Sequence, residues 1–223
     1  MRVFLFDIDG TLLMAHGVGK AALATALQDE FAITQPDTEV LFSGRTDRSL
    51  TIELLERNSI DPSAEHCGRL RDRYVSLVGG ELSRQGGIVL PGVRPLLTQM
   101  ARQNDTALAV MTGNFPETAT QKLVHFDLRQ WFSWISGGDF HCDRNDLARR
   151  TLEIIRRRYG QRVTETVVIG DTPADIACGN AIGAKTVAVA TGEYSLDALR
   201  DESPSIALKD FSQTDEVLAA LYS

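Results

Sequence analysis

The chain has few cysteines, no metal-binding histidine pattern, no excess of positive charge and no long apolar run. Cys67, Cys142 and Cys178 are far apart and form no CxxC. That spacing speaks against a disulfide framework or a structural zinc site and fits a reducing compartment. His16, His66, His125 and His141 form no HExxH. No segment reaches the roughly 18 apolar residues of a membrane span. Residues 1–15 lack the basic, hydrophobic and small-residue order of a signal peptide. A cytoplasmic protein without a membrane partner is therefore expected. A net charge of −7 also argues against a nucleic-acid partner. Arg149-Arg150 and Arg156-Arg157-Arg158 fall in a helical pattern and read as a solvated face. The apolar fraction of 43% and charged fraction of 24% are those of an ordinary globular domain.

What is present is concentrated at the start. The apolar run Val3-Phe4-Leu5-Phe6 leads into Asp7-Ile8-Asp9-Gly10-Thr11-Leu12. Residues i and i+2 of a strand share a face, so Asp7 and Asp9 can lie together where the strand becomes a loop. One would bind a cation or attack an electrophile while the other handles a proton.

Helical spacing then dominates. A helix is expected over 17–31, and another, capped by Thr46 or Asp47, runs to about Asn58. A third starts at Ser63 and ends near Val78, with turns at Gly79-Gly80 and Gly86-Gly87. Leu90-Pro91-Gly92-Val93 restarts a helix. From there the rhythm alternates. Strands are expected at Thr106–Met111, Trp131–Ser136, Thr166–Ile169, Thr186–Val189 and Ile206–Leu208. Helices are expected at Glu117–Phe126, Leu147–Tyr159, Asp175–Ile182 and Asp215–Leu221. This pattern implies an α/β core with a largely parallel sheet. The expected division is 1–14 core, 15–87 helical cap and 88–223 core.

In such sheets functional residues gather beyond the carboxyl ends of the strands. Those ends carry Asp7 and Asp9, then Thr112-Gly113-Asn114, then Gly170-Asp171-Thr172-Pro173-Ala174-Asp175. Three aspartates (7, 9 and 171) would crowd negative charge unless a cation sits among them. Oxygen-only donors suit Mg²⁺, and carboxylates around Mg²⁺ commonly serve phosphate chemistry. Thr112 and nearby backbone amides can donate to phosphoryl oxygens. Arg144, in the loop before a helix, is the candidate cation for the transferred group.

Together these segments resemble the haloacid-dehalogenase-like hydrolase superfamily, in particular its phosphoglycolate-phosphatase-like members. The resemblance covers the whole chain. It implies a Rossmann-like core with an inserted four-helix-type cap, and Mg²⁺ as cofactor. It implies Asp7 as nucleophile and Asp9 as general acid and base. Asp7, the Asp9 backbone carbonyl and Asp171 would hold the ion. Thr112, with Gly113 or Asn114, would bind the phosphoryl group, and Asp175 would play a supporting part. The family's usual lysine is missing from Ser136–Asp146, where Arg144 takes the corresponding place and Arg149 and Arg150 are fallbacks. His16 and Arg45 are candidate substrate contacts.

The implied activity is hydrolysis of a small organic phosphate, phosphoglycolate among the candidates. A phosphosugar mutase and a noncatalytic phosphate-binding module are the alternatives. Carbon–halogen cleavage needs no acid two residues after the nucleophile, so Asp9 speaks against it. The partner is a small phosphate ester, and the chain is expected as a monomer or weak homodimer.

Overall fold

In the computed structural model, which describes residues 1–223, Arg2–Phe6 forms β1 and Leu13–Met14 a short β2. Three helices follow, α1 (Val18–Phe31), α2 (Asp47–Arg57) and α3 (Ala64–Gln85), and then β3 (Ile88–Val89). Beyond it come α4 (Val93–Met100), β4 (Thr106–Met111), α5 (Pro116–His125), β5 (Ile135–Ser136) and α6 (Arg144–Tyr159). The chain closes with β6 (Glu165–Gly170), α7 (Pro173–Ala181), β7 (Lys185–Val189), α8 (Leu196–Asp201), β8 (Ile206–Leu208) and α9 (Thr214–Tyr222).

Six strands make one parallel sheet in the order β5-β4-β1-β6-β7-β8. Its centre is β1, where Phe6 pairs with both Val110 and Ile169. Strand β1 is buried on both faces, which explains its unbroken apolar run. Phe4 and Phe6 face a cluster that continues into α4, α5, α9 and the inserted helices. Val3 and Leu5 face a smaller cluster with Leu147, Ile155 and Cys178 of α6 and α7. Complete burial of side chains such as Phe4 and Phe6 stabilises the fold by about 2–3 kcal/mol each. The chain order turns at β1, with β4 on one side and β6 on the other. The crevice beyond the ends of these three strands is thus the topological switch point.

The insert differs from expectation in two respects. It contains three helices rather than four, and residues 32–46 have no regular helix or strand. Helix α3 also continues through Gly79-Gly80 to Gln85. Its buried stripe of Leu70, Tyr74, Val78 and Leu82 recurs every four residues, so packing carries the helix past two poor helix formers. The caps at Thr46 and Ser63 are as expected, each accepting a backbone N–H three residues on.

Trp131–Ser136 forms a strand only at Ile135–Ser136. It is an edge strand with a single neighbour, and the preceding Phe132 and Trp134 are buried from a loop instead. The antiparallel pair β2–β3 has no counterpart in the sequence reading. It joins the chain's exit into the insert to its return, with Leu13 opposite Val89.

Candidate active site

The register of β1, β4 and β6 brings the three motif segments to one level. The Asp7 N–H donates to the Ile169 carbonyl at 2.9 Å, and the Thr112 N–H to Ser136 at 3.0 Å. Asp7, Asp171 and Asp175 are buried, and one oxygen of each lies within 4.8 Å of the others. Gly10 makes this possible. Its φ of +78° is left-handed, and any Cβ there would strike the Asp171 carboxylate. Thr11 Oγ1 donates to Asp171 Oδ1 at 2.9 Å.

Burial pushes Asp7 up to about 6; Arg144 opposes this, while Asp175 and Asp9 add to it. Burial likewise pushes Asp171 up to about 8, reinforced by Asp175 and Asp7. This repulsion, together with an oxygen-only donor set, fits Mg²⁺. A divalent cation satisfies the charge that protons otherwise have to cover.

Asp175 is already committed. Its Oδ2 accepts from the Thr172 N–H at 3.1 Å and the Thr172 hydroxyl at 2.7 Å, completing a capping box at the start of α7. Its Oδ1 accepts from Arg144. Arg144 lies at the first position of α6 rather than in the loop ahead of it, because Asp143 caps that helix. Its Nη2 is 3.6 Å from Asp7 Oδ2, and its buried Nε has no partner. Burial alone would lower the Arg144 pKa, but Asp175 and Asp7 hold it above its ordinary value. Arg144 therefore braces the aspartates as well as facing the cavity. Arg149 and Arg150 are exposed and pair with Asp146 and Glu153 on the outer face of α6, so neither fallback reaches the site.

The second cation is one that the sequence reading missed. Lys122 is buried on α5, and its Nζ donates to Asp9 Oδ2 at 2.6 Å and to Asn114 Oδ1 at 2.7 Å. Asn114 Nδ2 donates to the same Asp9 oxygen at 2.8 Å and to Thr112 Oγ1 at 2.8 Å. The Asp9 carboxylate is thus held by Lys122 and Asn114 and is not part of the cluster of Asp7, Asp171 and Asp175. The available signal was a lysine on the apolar face of an expected helix, beside Ala119 and Leu123.

The insert closes over these groups. Its loop 43–46 runs so close to Gly113 that a Cβ there would strike the Arg45 carbonyl oxygen. The half-open cavity beneath it, about 350 Å³, is lined by Asp7, Asp9, Thr112, Lys122, Arg144 and Asp171, and by Met14, His16, Phe42, Arg45 and Glu193. His16 is exposed at its edge. The Arg45 guanidinium is held by Ser49 at 3.2 Å and Glu53 at 2.6 Å. No helix is long and apolar enough to cross a membrane.

Residues 4–189 match the family model for haloacid dehalogenase-like hydrolases. A phosphoglycolate phosphatase of Pectobacterium atrosepticum is 24% identical over 213 residues, 95% of this chain and 90% of its own. One from Aquifex aeolicus is 26% identical over 209 residues, covering 89% of each chain. Among solved structures, CbbY from Rhodobacter sphaeroides in complex with phosphate superposes with a TM-score of 0.74 at 16% identity, over 95% of both chains.

Proposed function

Because the chain belongs to the haloacid dehalogenase-like hydrolase family, we propose that it hydrolyses a small phosphomonoester with Mg²⁺ through an aspartyl-phosphate intermediate. One observation carries this reading. A buried carboxylate cluster suited to a divalent cation adjoins a separate carboxylate, Asp9, that is held by Lys122 and Asn114 at the same cavity. Two carboxylates in different surroundings suit two different tasks.

An Asp7 oxygen attacks phosphorus and the ester P–O bond breaks. The leaving alkoxide takes a proton from Asp9. The Asp9 carboxylate then takes a proton from water, which attacks the same phosphorus. The bond to Asp7 breaks, and inorganic phosphate leaves. Thr112, the Gly113 and Asn114 amides and Arg144 hold the phosphoryl oxygens while this occurs. Asp7 and Asp171, with the Asp9 backbone carbonyl, are the proposed ligands of Mg²⁺, and Asp175 keeps Arg144 in place. Mg²⁺ bound there supplies positive charge to the phosphoryl oxygens.

A cavity of about 350 Å³ suits a compact substrate. Phosphoglycolate is the first candidate, since the relatives from Pectobacterium atrosepticum and Aquifex aeolicus are phosphoglycolate phosphatases. His16 and Arg45 are the proposed contacts to the remainder of the ester.

The test is phosphate release from a panel of small phosphate esters, with Mg²⁺ or with a chelator. Release that requires Mg²⁺ and favours phosphoglycolate supports the reading. Tight binding without release would indicate a binding module and overturn it.

A further inference from the structure

Asp47 is a buried carboxylate that the proposed chemistry does not use. It is the first residue of α2, in the insert, yet its N–H and its carboxylate are bonded to the core. Its N–H donates to the Gly113 carbonyl at 2.7 Å. Its Oδ2 accepts the Phe115 N–H at 2.7 Å and the Thr118 hydroxyl at 3.3 Å. Helix α5 begins at Pro116 and has no cap from its own N-cap side chain, Phe115. The insert therefore supplies the missing cap across the interface, and a negative group at that end is favoured by the helix dipole. Thr118 and Lys122 are four residues apart, so they stand on the same face of α5. Lys122 is the residue that holds Asp9.

We propose that Asp47 is a positioning residue. By capping α5 only when the insert is docked, it sets the placement of Lys122 and through it the alignment of Asp9. The path runs from the insert through one helical turn to the proton-transfer group. Docking of the insert and readiness of the acid are thereby one event. This inference rests on the role given to Asp9 above.

The experiment compares two substrates in Asp47→Ala, Lys122→Met and the double variant. An alkyl phosphate needs a proton at its leaving group, whereas 2,4-dinitrophenyl phosphate does not. For the alkyl ester, kcat of Asp47→Ala should fall by about tenfold or more at nearly constant KM. The stopped-flow burst of dinitrophenolate should stay within about twofold of the unmodified protein. The double variant should be no slower than Lys122→Met alone. Asp47→Asn, which retains an oxygen for the Phe115 N–H, should recover part of the loss. It also serves if Asp47→Ala fails to fold. A burst that falls as far as alkyl turnover would overturn the proposal, as would losses that multiply in the double variant. Asp9→Asn is run in parallel. If it keeps alkyl turnover, the acid role of Asp9 fails and this inference with it. If it loses turnover while Asp47→Ala does not, only this inference fails.

Discussion

Lys122 Nζ lies 2.6 Å from Asp9 Oδ2, although 113 residues separate them in the chain. The ammonium is buried, whereas the Asp9 side chain is 41% exposed and keeps the Asn114 amide as a donor, so removing the ammonium leaves a carboxylate that water still reaches. Lys122→Met should fold but lose about a hundredfold in kcat for alkyl phosphates. Arg149→Ala, outside the site, should leave kcat unchanged. Steady-state kinetics on both variants is the check, and the reverse result would mean that Arg149 is the cation that matters.

Asp7→Asn should abolish turnover while leaving the thermal midpoint no lower. The substitution removes a buried carboxylate that burial already pushes up to about 6. Phosphate release and a melting curve on the same sample decide this, and full turnover would refute the nucleophile assignment.

Mg²⁺ should stabilise the folded protein through its carboxylates. At about a hundredfold excess over its Kd, the gain is about 2.7 kcal/mol. Asp171→Asn should abolish the shift in melting temperature, and a chelator should reverse it in the unmodified protein. An equal shift in both proteins would place the ion elsewhere.

Gly113→Ala should lower kcat by about a hundredfold without unfolding the core. The added methyl meets the Arg45 carbonyl and forces the insert away from the strand ends. Kinetics combined with limited proteolysis of residues 32–46 would register this, and an insert as protected as before would contradict it.

Asp47 should leave a signature in stability against pH. Burial raises its carboxyl from 3.8 to about 6; Lys122 and the Phe115 N–H oppose this, and Asp9 adds to it. Tyr74 and Thr118 complete its surroundings. A raised carboxyl binds its proton more tightly in the folded chain. Its contribution is therefore full below about pH 4 and is lost as pH rises through 6, a change on the order of 3 kcal/mol. Asp47→Asn should lack this fall. Denaturant midpoints for the two proteins between pH 4 and pH 7 measure it, and parallel curves would refute it.

Most of the core was legible because short strands buried on both faces are continuous apolar runs. Thr106–Met111 appears with the bounds expected of it, and so does Ile206–Leu208, a half-buried edge strand that is apolar throughout. Asp7, Asp9 and Asp171 were legible for a related reason: they end such runs. Lys122 and Asp47 were not, because each looks ordinary in its own helix. One is a basic residue in a last turn and the other an acidic residue in a first turn. Lys122 reaches the site because the packing of α5 brings it to Asp9 and Asn114, and Asp47 because the insert docks on the start of α5. Gly79-Gly80 misled because local preference yielded to a stripe of buried side chains on α3.

The antiparallel pair β2–β3 has a further consequence. The polypeptide leaves and re-enters the sheet domain through one doorway, with Met14 beside Ile88. Bridging those two residues with a tight turn would make an ordinary hairpin and leave the hydrogen bonds of the six-stranded sheet whole. It would also bare the apolar side chains that the insert covers, since α1, α2 and α3 share one buried cluster with Phe4 and Phe6. The doorway therefore fixes where a lid is hinged to the core, and the shared apolar cluster fixes which lids that core accepts.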